Sequence, residues 1–113
     1  MWLFTAIGFF SVVAHRDSPE SLLVRARACE DLAALRERYL PDLSPTEATP
    51  SADYPYRATV SRKAFGQALV WLATTIDYDN FKTRVAKAQG ADRAHLYSEV
   101  WSVMRGLAPV LDG

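Results

Sequence analysis

Two runs in which apolar and polar residues alternate open the chain and predict a β-hairpin. Gly8 to His15 reads GFFSVVAH, rich in Phe and Val, and Leu22 to Ala28 reads LLVRARA, alternating after Leu22. Arg16 to Ser21 between them is a polar turn set holding Pro19. The first strand can begin as early as Trp2, with Gly8 marking a bend or bulge. A third short run, Tyr56 to Val60, predicts another strand, with Pro55 acceptable at its entrance.

Elsewhere the apolar period lengthens to that of a helix. Leu32, Leu35 and Tyr39 fall at i, i+3 and i+7 over Glu30–Leu40, with acids in the first turn, Arg36 and Arg38 in the last, and Pro41 as the stop. Phe65, Leu69, Leu72 and Ile76, with Ala68 beside them, predict a buried stripe after a Ser61 cap. Phe81, Val85 and Ala88 line a third helix, which the 77–80 turn (DYDN) caps and Gly90 ends. Leu96, Val100, Val103 and Leu107 line a fourth, with Asp92 as its cap and Pro109 past its end.

The order β-β-α-β-α-α-α predicts one α+β domain over residues 1–113, a small mixed or antiparallel sheet with helices packed on one face. Residues 42–53, holding Pro45 and Pro50, read as a mobile loop. The right-handed crossover rule favours a third strand parallel to the second, in spatial order 2-1-3.

Strand parity carries the functional expectation, because successive side chains point to opposite faces. Leu22, Val24, Ala26 and Ala28 share a face with Phe10, Val12 and Ala14, and the helices must cover it. The other face then gathers Arg25, Arg27, Arg57, His15, Phe9, Ser11 and Thr59. Guanidinium forks match phosphate and carboxylate geometry, and an aromatic ring stacks a base, so these residues are candidate ligands for an anion or a nucleic acid. The competing reading is a solvated or subunit-covered face, with Glu20, Glu47 and Asp53 available to pair with the arginines. A reader of single strands shows rings on adjacent strands; Phe9 is one, and Tyr54 is the candidate for a second.

Charge and cysteine content narrow the classes. Thirteen basic residues balance thirteen acidic ones, so there is no bulk pull toward nucleic acid. The one cysteine, Cys29, excludes an internal disulfide framework, fits a reducing cytoplasm and reads as a small buried residue. The apolar opening, Met1 to Ala14, is too short to span a bilayer and lacks the basic start of a secretory signal; a strand explains it. No phosphate loop, dinucleotide fingerprint, nucleophile elbow or zinc spacing appears, and no cofactor is implied. Asp92, His95 and Glu99 share one helix face, but one histidine and two acids without a second cluster make a poor metal site.

Aromatic residues are plentiful, with three Trp, five Tyr and five Phe. Trp71 and Trp101 lie off the main stripes of their helices, which marks them as candidate interface residues for a homodimer or protein partner. The expected function is therefore non-enzymatic association in the cytoplasm. The alternatives are nucleic-acid or phosphate binding on the arginine face, and a small enzyme for an anionic substrate around His15, Arg25 and Arg57.

With GFFSVV at 8–13, DYPYR at 53–57 and DYDNFK at 77–82 in view, the chain resembles a group of small bacterial proteins of unassigned function. The likeness runs over nearly the whole length. It implies a bacterial, soluble, stand-alone domain and supplies no catalytic or ligand residues.

Overall fold

The computed structural model describes residues 1–109. It is an α+β fold that divides into two compact units, Met1–Asp77 and the segment from Tyr78 onward.

The first unit holds a five-stranded antiparallel sheet: β1 (Trp2–Thr5), β2 (Gly8–Ala14), β3 (Ser21–Ala26), β4 (Glu47–Ala48) and β5 (Tyr56–Ser61), in spatial order β1-β2-β3-β5-β4. Its helices are α1 (Cys29–Arg38) and α2 (Arg62–Thr74). Parity holds as predicted. Phe10, Val12, Val24, Ala26, Ala58 and Val60 are buried on one face, against Leu32 and Leu35 of α1 and Phe65 and Ala68 of α2.

Three expectations are corrected here. First, the lead-in before Gly8 is a separate strand. Thr5 pairs with Gly8, and the buried Thr5 hydroxyl donates to the Gly8 carbonyl (2.8 Å) while accepting the N–H groups of Ile7 (3.2 Å) and Gly8 (3.1 Å). One hydroxyl thus closes a tight turn where an extended strand was expected.

Second, β5 lies beside β3 and antiparallel to it, with Ala26 opposite Tyr56. The crossover rule governs a chain that crosses the sheet once. Here the segment after α1 brings the chain back to the end of the sheet where β3 finished, and no parallel pair results.

Third, the 42–53 loop carries a two-residue strand at the sheet edge. Ser44 exchanges bonds with Thr59 (Ser44 N–H to the Thr59 carbonyl, 2.9 Å; Thr59 N–H to Ser44 Oγ, 2.8 Å), and Glu47 and Ala48 pair with Arg57 and Tyr56. Arg36, expected only to complement the α1 dipole, donates to the Leu43 carbonyl (3.2 Å) and to Thr46 Oγ1 (3.0 Å). These bonds tie part of the segment's backbone to the sheet and to Arg36.

α2 keeps its predicted Ser61 cap, whose hydroxyl accepts the Ala64 N–H at 3.1 Å. Its stripe fades toward the carboxyl end: Leu69 and Leu72 are half-buried, and Ile76 lies past the helix end and is exposed. The second unit is a helical hairpin of α3 (Phe81–Gln89) and α4 (Ala91–Met104), followed by a 3-10 turn (Arg105–Leu107). Asn80 caps α3 by accepting the Thr83 N–H at 2.9 Å, and Gly90, at φ 96°, separates the helices. α4 starts directly after Gly90, so Asp92 sits in its first turn and does not cap it. Val85 and Ala94 are buried, and the Phe81 and Tyr97 rings stack at 6.0 Å, whereas Ala88 is exposed. The predicted stripe of α4 is not a core: Leu96, Val103 and Leu107 are exposed. Among the described residues no helix is long and apolar enough to cross a membrane.

Candidate functional site

The face of the sheet away from α1 and α2 carries one row of side chains across all five strands. Register places Trp2 opposite Ser11, Ser11 opposite Arg25, Arg25 opposite Arg57, and Arg57 opposite Glu47. A neighbouring row begins with the cross-strand pair Phe4 and Phe9, whose rings stack at 4.4 Å. Trp2 meets Phe4 and Phe9 edge-on, at 6.5 and 5.8 Å.

Two guanidinium groups directly opposite each other on a sheet repel, so Arg25 and Arg57 need compensation. Tyr54 supplies most of it. Arg25 and Arg27 place their guanidinium carbons 4.7 and 4.8 Å from the centre of the Tyr54 ring, and Arg57 Nε donates to the Tyr54 carbonyl at 3.4 Å. The Tyr54 ring also lies 6.4 Å from Phe9 and is buried. Arg25 Nη2 donates to Ser11 Oγ at 2.7 Å, and Arg27 Nη2 lies 3.2 Å from Asp53 Oδ1. Arg25 Nε is buried without a hydrogen-bond partner.

Arg25, Arg27, Arg57 and Phe9 are thus brought together as parity predicted. His15 is not: it lies four residues beyond Ser11, about 14 Å along the strand, and its Nδ1 accepts the Asp17 N–H at 3.1 Å. The expected acid from a loop is Asp53. The second ring is Tyr54. Trp2 and Phe4 escaped the sequence reading, although fourteen residues without a break are long for one strand of a small sheet, and that excess length was the available signal. Chemically, the guanidinium groups are held by a ring, a hydroxyl, a carbonyl and a carboxylate, and they fasten the 49–55 segment over the sheet.

The remaining candidates stand apart. Trp71, on α2, meets the Tyr39 ring edge-on at 6.5 Å and helps line a groove of about 440 Å³ with Leu40, Pro41, Ala64 and Val70. Trp101, on α4, carries the Arg105 guanidinium 5.4 Å from its ring centre. His95 Nε2 lies 3.0 Å from Glu99 Oε1, an i,i+4 pair, and among the described residues no group of three or more His, Cys, Asp and Glu could hold a metal ion. Cys29 is exposed at the first position of α1, which corrects the expectation of burial. At the start of α1 the Cys29 and Glu30 side is open to solvent, whereas Asp31 is buried.

Comparison with protein-family models, with curated proteins and with solved structures gives no match. Function must be read from the geometry.

Proposed function

We propose that the protein acts by associating with another polypeptide rather than through chemistry at a site of its own. One observation carries this: all three tryptophans, on β1, α2 and α4, are more than half exposed, Trp2 at 65%, Trp71 at 56% and Trp101 at 64%. Tryptophan is costly to leave in water and is enriched among residues that dominate binding energy. The single cysteine supports a reducing, cytoplasmic setting. Light scattering tests the proposal, on the purified chain and on the chain mixed with extract of its source cells. A mass above the 12.6 kDa monomer is expected, falling to the monomer in Trp71→Ala or Trp101→Ala. A chain that stays monomeric in both settings sinks the proposal.

A second reading is single-stranded nucleic acid on the open sheet face, favoured by the stacked Phe4–Phe9 pair beside three arginines. It is the weaker of the two, because a phosphate must compete with Asp53 for Arg27 and the net charge is zero. A labelled oligonucleotide retained at low salt, with a salt slope that flattens in Arg27→Ala, supports it; no retention removes it.

A further inference from the structure

We propose that Arg25 and Arg57 form a binding site for a small phosphate monoester, a doubly charged oxyanion on a compact apolar body. The site adds to the association reading and does not depend on it. It differs from the nucleic-acid reading in using Arg25 and Arg57 rather than Arg27, and in asking for two charges on one phosphate.

Register brings the two cations together. Thr59 turns its N–H and carbonyl to Ser44. Backbone direction alternates along a strand, so Arg57 turns its own toward β4 and shares no ladder bond with Arg25 opposite. Pairs of this type bring their Cα atoms to about 4.5 Å and their side chains closest. Charge is left over. Among the described residues no carboxylate pairs with Arg25 or Arg57, whereas Arg27 has Asp53. A phosphate monoester carries about −1.5 to −2 at pH 7 and matches two guanidinium groups; a carboxylate or a phosphodiester brings a single charge.

Donors are left over as well. Arg57 uses Nε on the Tyr54 carbonyl, and its two Nη groups have no hydrogen-bond partner among the described residues. Arg25 uses Nη2 on Ser11, which leaves Nη1. The Thr59 hydroxyl, one row along on the same face and diagonal to Arg25, also has no partner among the described residues. A guanidinium fork takes phosphate oxygens two at a time. Arg57 can therefore hold two oxygens, and Arg25 with Thr59 the third. Val13 and Leu23, cross-strand partners in the Thr59 row, are half-buried and offer an apolar floor for the ester group.

Phenyl phosphate is the probe, titrated calorimetrically into the purified full-length chain. A single-site isotherm with a Kd of about 1 mM or tighter is expected. Arg57→Gln, with its far-ultraviolet spectrum and unfolding midpoint checked, should weaken binding at least about tenfold. Glu47→Gln removes the acid opposite Arg57 and should bind as well or better. Because Arg57 also holds the Tyr54 carbonyl, the unaltered chain provides a second measurement. In its magnetic resonance spectra the probe should shift the Arg25 and Arg57 guanidinium signals and the Thr59 amide, and leave those of Arg84 and Arg93 in place. Dimethyl phosphate, with one charge, should bind at least about tenfold more weakly than phenyl phosphate. No saturable binding, an affinity indifferent to Arg57→Gln, weaker binding in Glu47→Gln, shifts centred elsewhere, or equal binding of the diester each overturns the site. An oligonucleotide without a terminal phosphate that displaces the probe also overturns it, in favour of the nucleic-acid reading. Probe binding with no retention of oligonucleotide supports the site and removes that reading.

Discussion

The carboxylate of Asp31, in the first turn of α1, accepts the backbone N–H of Phe9 at 3.0 Å and so ties the helix to the start of β2. The contact needs a glycine next door. A Cβ on Gly8 would stand 2.7 Å from Asp31 Cγ and 2.8 Å from its Cβ, closer than atoms can sit. Gly8→Ala must therefore displace a buried carboxylate. Overpacking of this kind costs about 1–3 kcal/mol, and losing the bond to Phe9 adds to it. Urea denaturation should show the loss as a lower midpoint with an unchanged slope. Asp31→Gly in the Gly8→Ala chain removes both clashing atoms and should cost less than the two single losses added together.

Thr5→Val keeps shape and volume but removes the hydroxyl that closes the β1–β2 turn. The Ile7 and Gly8 N–H groups then lose their acceptor in a buried place. The expected loss is about 1–3 kcal/mol, read by thermal unfolding. Thr5→Ser keeps the hydroxyl and should stay close to the parent.

Tyr54 tests whether the arginines hold the 49–55 segment through its ring. Tyr54→Ala deletes a buried ring beneath two guanidinium groups and should cost about 3 kcal/mol. It should also speed amide exchange at Thr49, whose N–H donates to the Pro55 carbonyl at 2.7 Å. Tyr54→Phe keeps ring and carbonyl alike and should be nearly neutral. Exchange at Thr49 that ignores Tyr54→Ala would remove this role.

The Arg27–Asp53 pair should contribute little to stability despite its 3.2 Å contact. Its side chains are 58% and 80% exposed, so water screens the charges. A double-mutant cycle should return a coupling below about 0.5 kcal/mol. A coupling several times larger would place this pair among the forces holding the segment down.

The hairpin, the outward turn of Arg25 and Arg27, and the Ser61 and Asn80 caps were legible because each depends on residues within a few positions of one another. Asp31 shows where legibility ends. In sequence it is one of two acids in a helix's first turn, as Glu30 is, and only the approach of Gly8, twenty-three positions earlier, makes it a buried clasp. Tyr54 is similar: it precedes a predicted strand, yet its partners Arg25 and Arg27 lie far back in the chain, across a connection whose path local signals do not define. The α4 stripe misled for the opposite reason. Its period was correct, but a period says which side chains favour burial and not what buries them.

From the sequence alone followed the order of the longer strands and the helices, the pleat parity that separates core from arginine face, and the Ser61 and Asn80 caps, because backbone sterics and side-chain alternation act over one or two turns of chain. Tertiary structure alone decided that β5 runs antiparallel to β3, that Tyr54 sits among the arginines, that His15 stands away from them, and that α4 leaves its apolar stripe in water. Those outcomes depend on which distant surfaces meet, and that is settled by the packing of the whole chain.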